Sequence, residues 1–179
     1  FEVERLITVA NHIADQWPGP DAEQSLSTLV PHMVNAGEID QARQLTERSI
    51  ELDPANSVNY FNRSDQLIRL GRPAEAEQAA RKALALNPGM VSAQSNLALS
   101  LLLQEQPVAA REAAQTLDNE PVRQTILALA YYDAGDWEAA DHALESLAQL
   151  HAQESAYLVA LVCAWRGEVD DAFRWLDKA

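Results

Sequence analysis

Apolar residues fall along this chain at helical rather than alternating spacing. Val3, Leu6, Ile7, Ala10, Ile13 and Trp17 share one face of a helix over residues 1–17, which the Pro18-Gly-Pro20 breaker ends. Leu26 to Ala36 keeps the same spacing around Pro31. A proline inside a helix costs about 3 kcal/mol or kinks it, so this segment is expected to be irregular. Tyr157 to Ala164 reads as a buried helical stripe carrying Cys163, the only cysteine. A thiol in such a stripe behaves as a small hydrophobe.

Small residues then impose a longer period. Gly37 and Gly71 are 34 residues apart, as are Ala42, Ala76 and Ala110, and Pro54 and Pro88. A fixed period of this length is the mark of stacked helical hairpins. Each glycine is read as the left-handed residue that closes the first helix of a hairpin. The alanine five residues later then lies early in the second helix, where the two approach most closely. Gly37 with Ala42, Gly71 with Ala76, Gly135 with Ala140 and Gly167 with Ala172 obey this rule, and Glu105 with Ala110 obeys it without the glycine. The alanine spacing falls to 30 between Ala110 and Ala140 and to 32 between Ala140 and Ala172. The third hairpin therefore has a short second helix, ended near Asp118, with Pro121 opening the next helix where its missing N–H is harmless. Pro73 and Pro107 read as helix starts in the same way.

These phrases resemble the tetratricopeptide repeat. The resemblance covers roughly residues 23–179 and is most specific from Tyr60 through Pro88, where Leu67, Gly71, Ala76, Ala83, Leu84 and Pro88 match consensus positions. Arg63 and Ser64 stand where the family usually has Leu-Gly. The resemblance implies an all-α, right-handed superhelical solenoid of about five helical hairpins plus an N-terminal helix. The expected divisions are an end cap or remnant of a preceding repeat at 1–20, then hairpins at 23–56, 57–90, 91–120 (shortened), 121–152 and 153–179 (terminal), all in one solenoid domain. A second likeness, carried by Leu127 to Tyr132 and Ala172 to Asp177, is to the carboxy-terminal tetratricopeptide arrays of bacterial multidomain regulators.

In this family the first helices line a concave face that usually holds the ligand. Transferred by position, that face is Phe61, Asp65, Ile68 and Arg69, then Ser95, Leu99, Leu102 and Leu103, then Thr125, Leu129, Tyr132 and Asp133, then Tyr157, Leu161 and Trp165. The lysine and asparagine set by which related modules grip the carboxylates of chaperone tails is missing. The lining is apolar, suited to an amphipathic helix or a hydrophobic peptide. The resemblance thus implies a non-catalytic protein–protein interaction scaffold, with self-association or a sensory role in a larger regulator as the alternative.

Charge narrows the partners. With 13 Lys and Arg against 27 Asp and Glu the net charge is -14, which repels phosphate backbones and anionic lipid. Direct nucleic-acid binding is not expected, and a basic or apolar protein segment suits the chain best. Residues 91–179, with 14 acidic and 5 basic side chains, hold most of the excess.

Tests for chemistry return little. His12, His32, His142 and His151 lack a second ligand at i+3 or i+4, so no metal is expected. No glycine-rich phosphate loop or Gly-x-Ser-x-Gly phrase is present, so neither cofactor nor catalysis is expected. Asp133 with Asp136, and Asp170 with Asp171, read as helix-start carboxylates. Trp137, Trp165 and Trp175 read as core rather than as an aromatic cage. The longest apolar stretches fall far short of the ~20 residues that span a bilayer. The chain opens at Phe1 without a methionine or a signal-peptide pattern and is read as a fragment of something longer. A lone cysteine fits cytosol and periplasm alike, with the cytoplasm favoured.

Overall fold

The computed structural model describes residues 8, 9, 11, 12, 14–16, 19–150 and 155–179. Among the described residues the chain is helical with no strand. Thr8, Val9, Asn11, His12, Ala14, Asp15 and Gln16 are helical, and the rest of the helix read over 1–17 lies outside the described residues. The longer helices are α1 (Pro20–Asn35), α2 (Ile39–Leu52), α3 (Ser57–Arg69), α4 (Pro73–Leu86), α5 (Val91–Leu102), α6 (Pro107–Ala114), α7 (Glu120–Asp133), α8 (Trp137–Leu150), α9 (Ala156–Trp165) and α10 (Val169–Leu176).

One five-residue device joins the helices of every pair. Gly37, Gly71, Gly135 and Gly167 have φ of 83°, 68°, 78° and 77°. In each case the glycine N–H and the next residue's N–H reach back to the two carbonyls that the ending helix leaves open, as in Gly37 to Val34 and Glu38 to Met33. The carbonyl of that next residue then accepts the alanine N–H that begins the following helix, as in Ala42 to Glu38 and Ala76 to Arg72. The spacing of five is therefore one closing turn followed by one opening turn. Ala42, Ala76, Ala110 and Ala140 are fully buried and Ala172 nearly so.

Glu105 makes the same turn at φ 58° without being glycine. A side chain in the left-handed region costs roughly 1–2 kcal/mol, of which glycine's extra unfolded-state entropy would return about half. Glu105→Gly is therefore expected to raise the melting temperature by about 1–4 °C, read by circular dichroism. An unchanged or lower midpoint would show that the Glu105 side chain stabilises the turn by as much as its backbone strains it.

The remaining start signals are equally local. Asn56 and Asn119 cap α3 and α7 by accepting the Val58 and Val122 N–H groups at 2.9 and 3.1 Å. Pro73, Pro107 and Pro121 sit in the first turns of their helices. Pro20 opens α1 instead of breaking the chain, and Pro31 lies inside α1 without ending it.

The chain divides into two compact units, Phe1–Asn96 and Leu97–Ala179. In the first, Leu26, Val30, Met33, Val34, Ala42 and Leu45 form an apolar cluster with Ala14. Beside it runs a buried polar row. Gln66 Nε2 donates to Thr46 Oγ1 at 2.7 Å, Asn56 Nδ2 to Glu23 Oε2 at 3.0 Å, and Asn96 Nδ2 to Ser64 Oγ at 2.8 Å. Ser64, where the family usually has glycine, is fully buried and is used as a hydrogen-bond partner.

The second unit is apolar inside, with Leu117, Leu129, Leu147, Val159 and Val162 almost wholly buried. Its α6 is 8 residues long against 14 for α4 and α8, the shortening that the spacing of 30 required. A turn replaces the missing helix. Leu117 is buried in it, and Arg123 Nη1 donates to the Leu117 carbonyl at 2.7 Å.

Candidate functional site

The end of α5, its turn, the start of α6 and the ends of α7 and α9 enclose a cavity of about 530 Å³ in the second unit. It is lined by Leu102, Leu103, Glu105, Pro107, Asp133 and Trp165. That size lies within the roughly 300–1,000 Å³ range of ligand sites. Its floor is buried Leu102, its rim exposed Leu103, and its wall the half-buried Trp165 ring.

The wall is fixed by hydrogen bonds and ring contacts. Trp165 Nε1 donates to Asp133 Oδ1 at 2.9 Å, which sets the indole plane. Behind it, Tyr132 Oη donates to the Arg166 carbonyl at 3.3 Å and meets Trp137 edge to face at 4.9 Å. The Arg166 guanidinium stands 5.4 Å from the Tyr132 ring and pairs with Asp141 and Glu168 at 2.6 and 3.0 Å. Arg166 is thus occupied by carboxylates, and the cavity itself presents Glu105 and Asp133.

Four residues placed by repeat register, Leu102, Leu103, Asp133 and Trp165, meet here. Glu105 and Pro107 were not among the residues assigned to the face. Their signal was in the sequence all the same, because Glu105 is where the glycine is lost. Three assignments are corrected by burial. Thr125 and Leu129 are 4% and 1% exposed, and Thr125 Oγ1 donates to its own helix at Pro121, so neither offers surface. Leu102, 2% exposed, can act only as a floor.

The other assigned residues lie elsewhere. Tyr132 braces the wall from behind, and Tyr157 and Leu161 are exposed on α9. Leu99 is half-buried, and half-buried Ser95 donates to the Val91 carbonyl of its own helix. In the first unit Asp65 is tied to Arg69 at 3.0 Å, while Phe61 and Ile68 are half-buried.

Further readings are corrected or sharpened. Asp133 is the last residue of α7 rather than a helix start, and its partner is the indole of Trp165. Asp136 does accept a first-turn N–H, from Ala139 at 3.3 Å. None of the three tryptophans is core, since Trp137 is 57% exposed and Trp165 and Trp175 are half-buried. Cys163 is buried in α9, where loss of water around the thiolate pushes the thiol's pKa up. Among the described residues no group of three His, Cys, Asp or Glu could hold a metal, and no helix is long and apolar enough to cross a membrane.

Comparison with known proteins agrees with the helical fold. Residues 61–121 match the tetratricopeptide repeat family. No curated protein matches by sequence. Among solved structures, the type IV pilus biogenesis factor PilW is similar at 18% identity, with 97% of this chain and 82% of that one covered and a TM-score of 0.73. MamA of Desulfovibrio magneticus RS-1 is similar at 16% identity, 90% and 94% coverage and a TM-score of 0.66. YrrB, a tetratricopeptide protein with an unusual peptide-binding site, is similar at 17% identity, 86% and 82% coverage and a TM-score of 0.60. At these identities the likeness is one of fold. By sequence, residues 61–121 match the tetratricopeptide repeat family, and by fold nearly the whole chain is similar to solved structures that include a tetratricopeptide protein.

Proposed function

We propose that the chain is a non-catalytic interaction module, and that the cavity between Leu103 and Trp165 takes a peptide segment pairing an apolar side chain with a neighbouring lysine or arginine. The observation that carries this reading is the lining itself. An apolar floor and an oriented indole stand beside two carboxylates, and Arg166, next to Trp165 in the chain, is paired with Asp141 and Glu168. An aliphatic group fills the floor, and a cation gains from the indole face and the carboxylates together.

Selection from a random displayed-peptide library tests this directly. Enriched peptides are expected to share the apolar–basic pair, and Leu103→Glu and Asp133→Lys are each expected to weaken them at least about tenfold with helicity retained. Peptides of unrelated composition, or binding indifferent to both variants, would remove the cavity as the site.

Self-association is a second reading with its own observation. Tyr157 and Leu161 stand ten and six residues before Gly167, as Thr125 and Leu129 stand before Gly135. The earlier pair is buried, yet Tyr157 is 64% and Leu161 39% exposed, with Phe173 on α10 at 63%. Light scattering of the same concentrated preparation decides it, because a monomer excludes pairing through this face.

A further inference from the structure

Each unit carries a groove at the same place in the repeat, and neither groove shares a residue with the cavity between Leu103 and Trp165. Gly71 and Gly135 are 64 residues apart, and the same step carries Arg63 to Leu127, Leu67 to Tyr131, Glu75 to Ala139 and Ala79 to Ala143. The four earlier residues line a cavity of about 230 Å³ between α3 and α4. The four later ones line a cavity of about 520 Å³ between α7 and α8.

The register is kept while the lining changes. In the first unit Arg63 and Lys82 line the groove, and the Lys82 ammonium stands 5.7 Å from the centre of the Tyr60 ring. In the second unit leucine stands for Arg63, alanine for Glu75 and Ser146 for Lys82. Three long charged side chains thus give way to shorter uncharged ones, and the open volume more than doubles. The floor becomes half-buried Leu127 and Tyr131, four residues apart on α7, beside Ala139 and Ala143, four apart on α8. Residues four apart share one face of a helix, so the floor is a row of large side chains next to a row of small ones. A third helix packs its own ridge into relief of this kind.

The rim is acidic. Asp136 Oδ1 accepts the Ala139 N–H at 3.3 Å. The exposed Glu138 carboxylate makes no hydrogen bond or ion pair among the described residues. From Gln124 to Trp165 the sequence holds six Asp and Glu and no Lys or Arg. One cation does reach the groove from α6, where the Arg111 guanidinium stands 5.3 Å from the Tyr131 ring. Glu138 and Asp136 are left facing water with no basic side chain beside them.

We infer that the groove between α7 and α8 binds a basic amphipathic helix of a partner protein, with aliphatic side chains four residues apart on the floor and lysine or arginine beside Asp136 and Glu138. Charge complementarity selects a basic partner, and the apolar floor selects one with an aliphatic stripe. The two-row floor selects a helix, because an extended strand presents side chains to one face at every second residue. The volume lies within the roughly 300–1,000 Å³ range of ligand sites, which the groove of the first unit does not reach.

The test titrates the whole chain with a synthetic peptide of leucine and lysine, its leucines at the i, i+3, i+4 and i+7 positions of one helical face. A chain of net charge -14 attracts any polycation, so the variants separate the groove from the overall field. Leu127→Arg combined with Ala139→Glu installs the residues that the first unit has at these positions and leaves the net charge unchanged. It is expected to weaken the peptide at least about tenfold with helicity retained. Glu138→Lys is expected to do the same, and Asp40→Lys, an equal change of charge at an exposed position on α2, to do much less. A peptide of the same composition with leucine and lysine in strict alternation is expected to bind several-fold more weakly. Absence of saturable binding overturns the inference, as do equal effects of Glu138→Lys and Asp40→Lys or a double variant that binds like the parent. Binding lost in Leu103→Glu but kept in the double variant assigns the peptide to the other cavity and overturns it equally.

Discussion

Leu147→Ala is expected to destabilise the protein by about 3 kcal/mol or more, seen as a lower urea midpoint with the same native helicity. Leu147 lies on α8 and is fully buried in the second unit. Truncation loses the transfer free energy of the removed carbons and leaves a cavity that stacked helices close only in part. Against a total stability of about 5–15 kcal/mol for an ordinary domain, one such change is a large fraction. Half-buried Leu144, one turn earlier, supplies the comparison, and Leu144→Ala is expected to cost distinctly less. Equal losses at the two positions would mean that Leu147 is less tightly packed than its burial states.

Ala140→Leu is expected to cost about 1–3 kcal/mol by the opposite route, overpacking. Ala140 is fully buried in the first turn of α8, its N–H donated to the Asp136 carbonyl that belongs to the closing turn of α7. The two helices are thus tied together within a few residues of this side chain. Helix axes pack 8–10 Å apart according to the side chains between them, and a leucine here would force them apart where the turn is shortest. Ala74→Leu, on an exposed face of α4, is the control and is expected to stay within about 0.5 kcal/mol of the parent. A harmless Ala140→Leu would show that the recurring alanine reflects composition and not close approach.

Much of this architecture was legible because its causes are local. A left-handed glycine, two backward hydrogen bonds and one forward hydrogen bond occupy five consecutive residues, so the Gly-to-Ala spacing shows directly in the chain. The same locality exposed the shortened α6, since a shorter helix draws the next alanine closer along the chain. The cation-poor, acidic second half was equally plain from counting.

The candidate face was legible only in outline. Register along α7 nominated Asp133, which lines the cavity, together with Thr125 and Leu129, which are buried. Their burial depends on the helices packed against α7, namely α6, α8 and the more distant α9. Sequence likewise treated Trp137 and Trp165 as core, whereas a hydrogen bond to Asp133 and an edge contact with Tyr132 hold them at the surface. The polar row of Asn59, Asn62, Ser64 and Gln66 carries no sequence sign of burial at all, because polar residues at these positions read as a solvated helix face.

The sequence by itself determined the helices, the turns between them, the repeat period and its lapse at Glu105, all of which rest on backbone conformation and hydrogen bonds within a few residues. Tertiary structure decided which faces reach water, which polar groups are buried, and where Leu127 and Tyr131 meet Ala139 and Ala143. Those outcomes depend on side chains brought together from different helices, and no single stretch of the chain encodes such a distance.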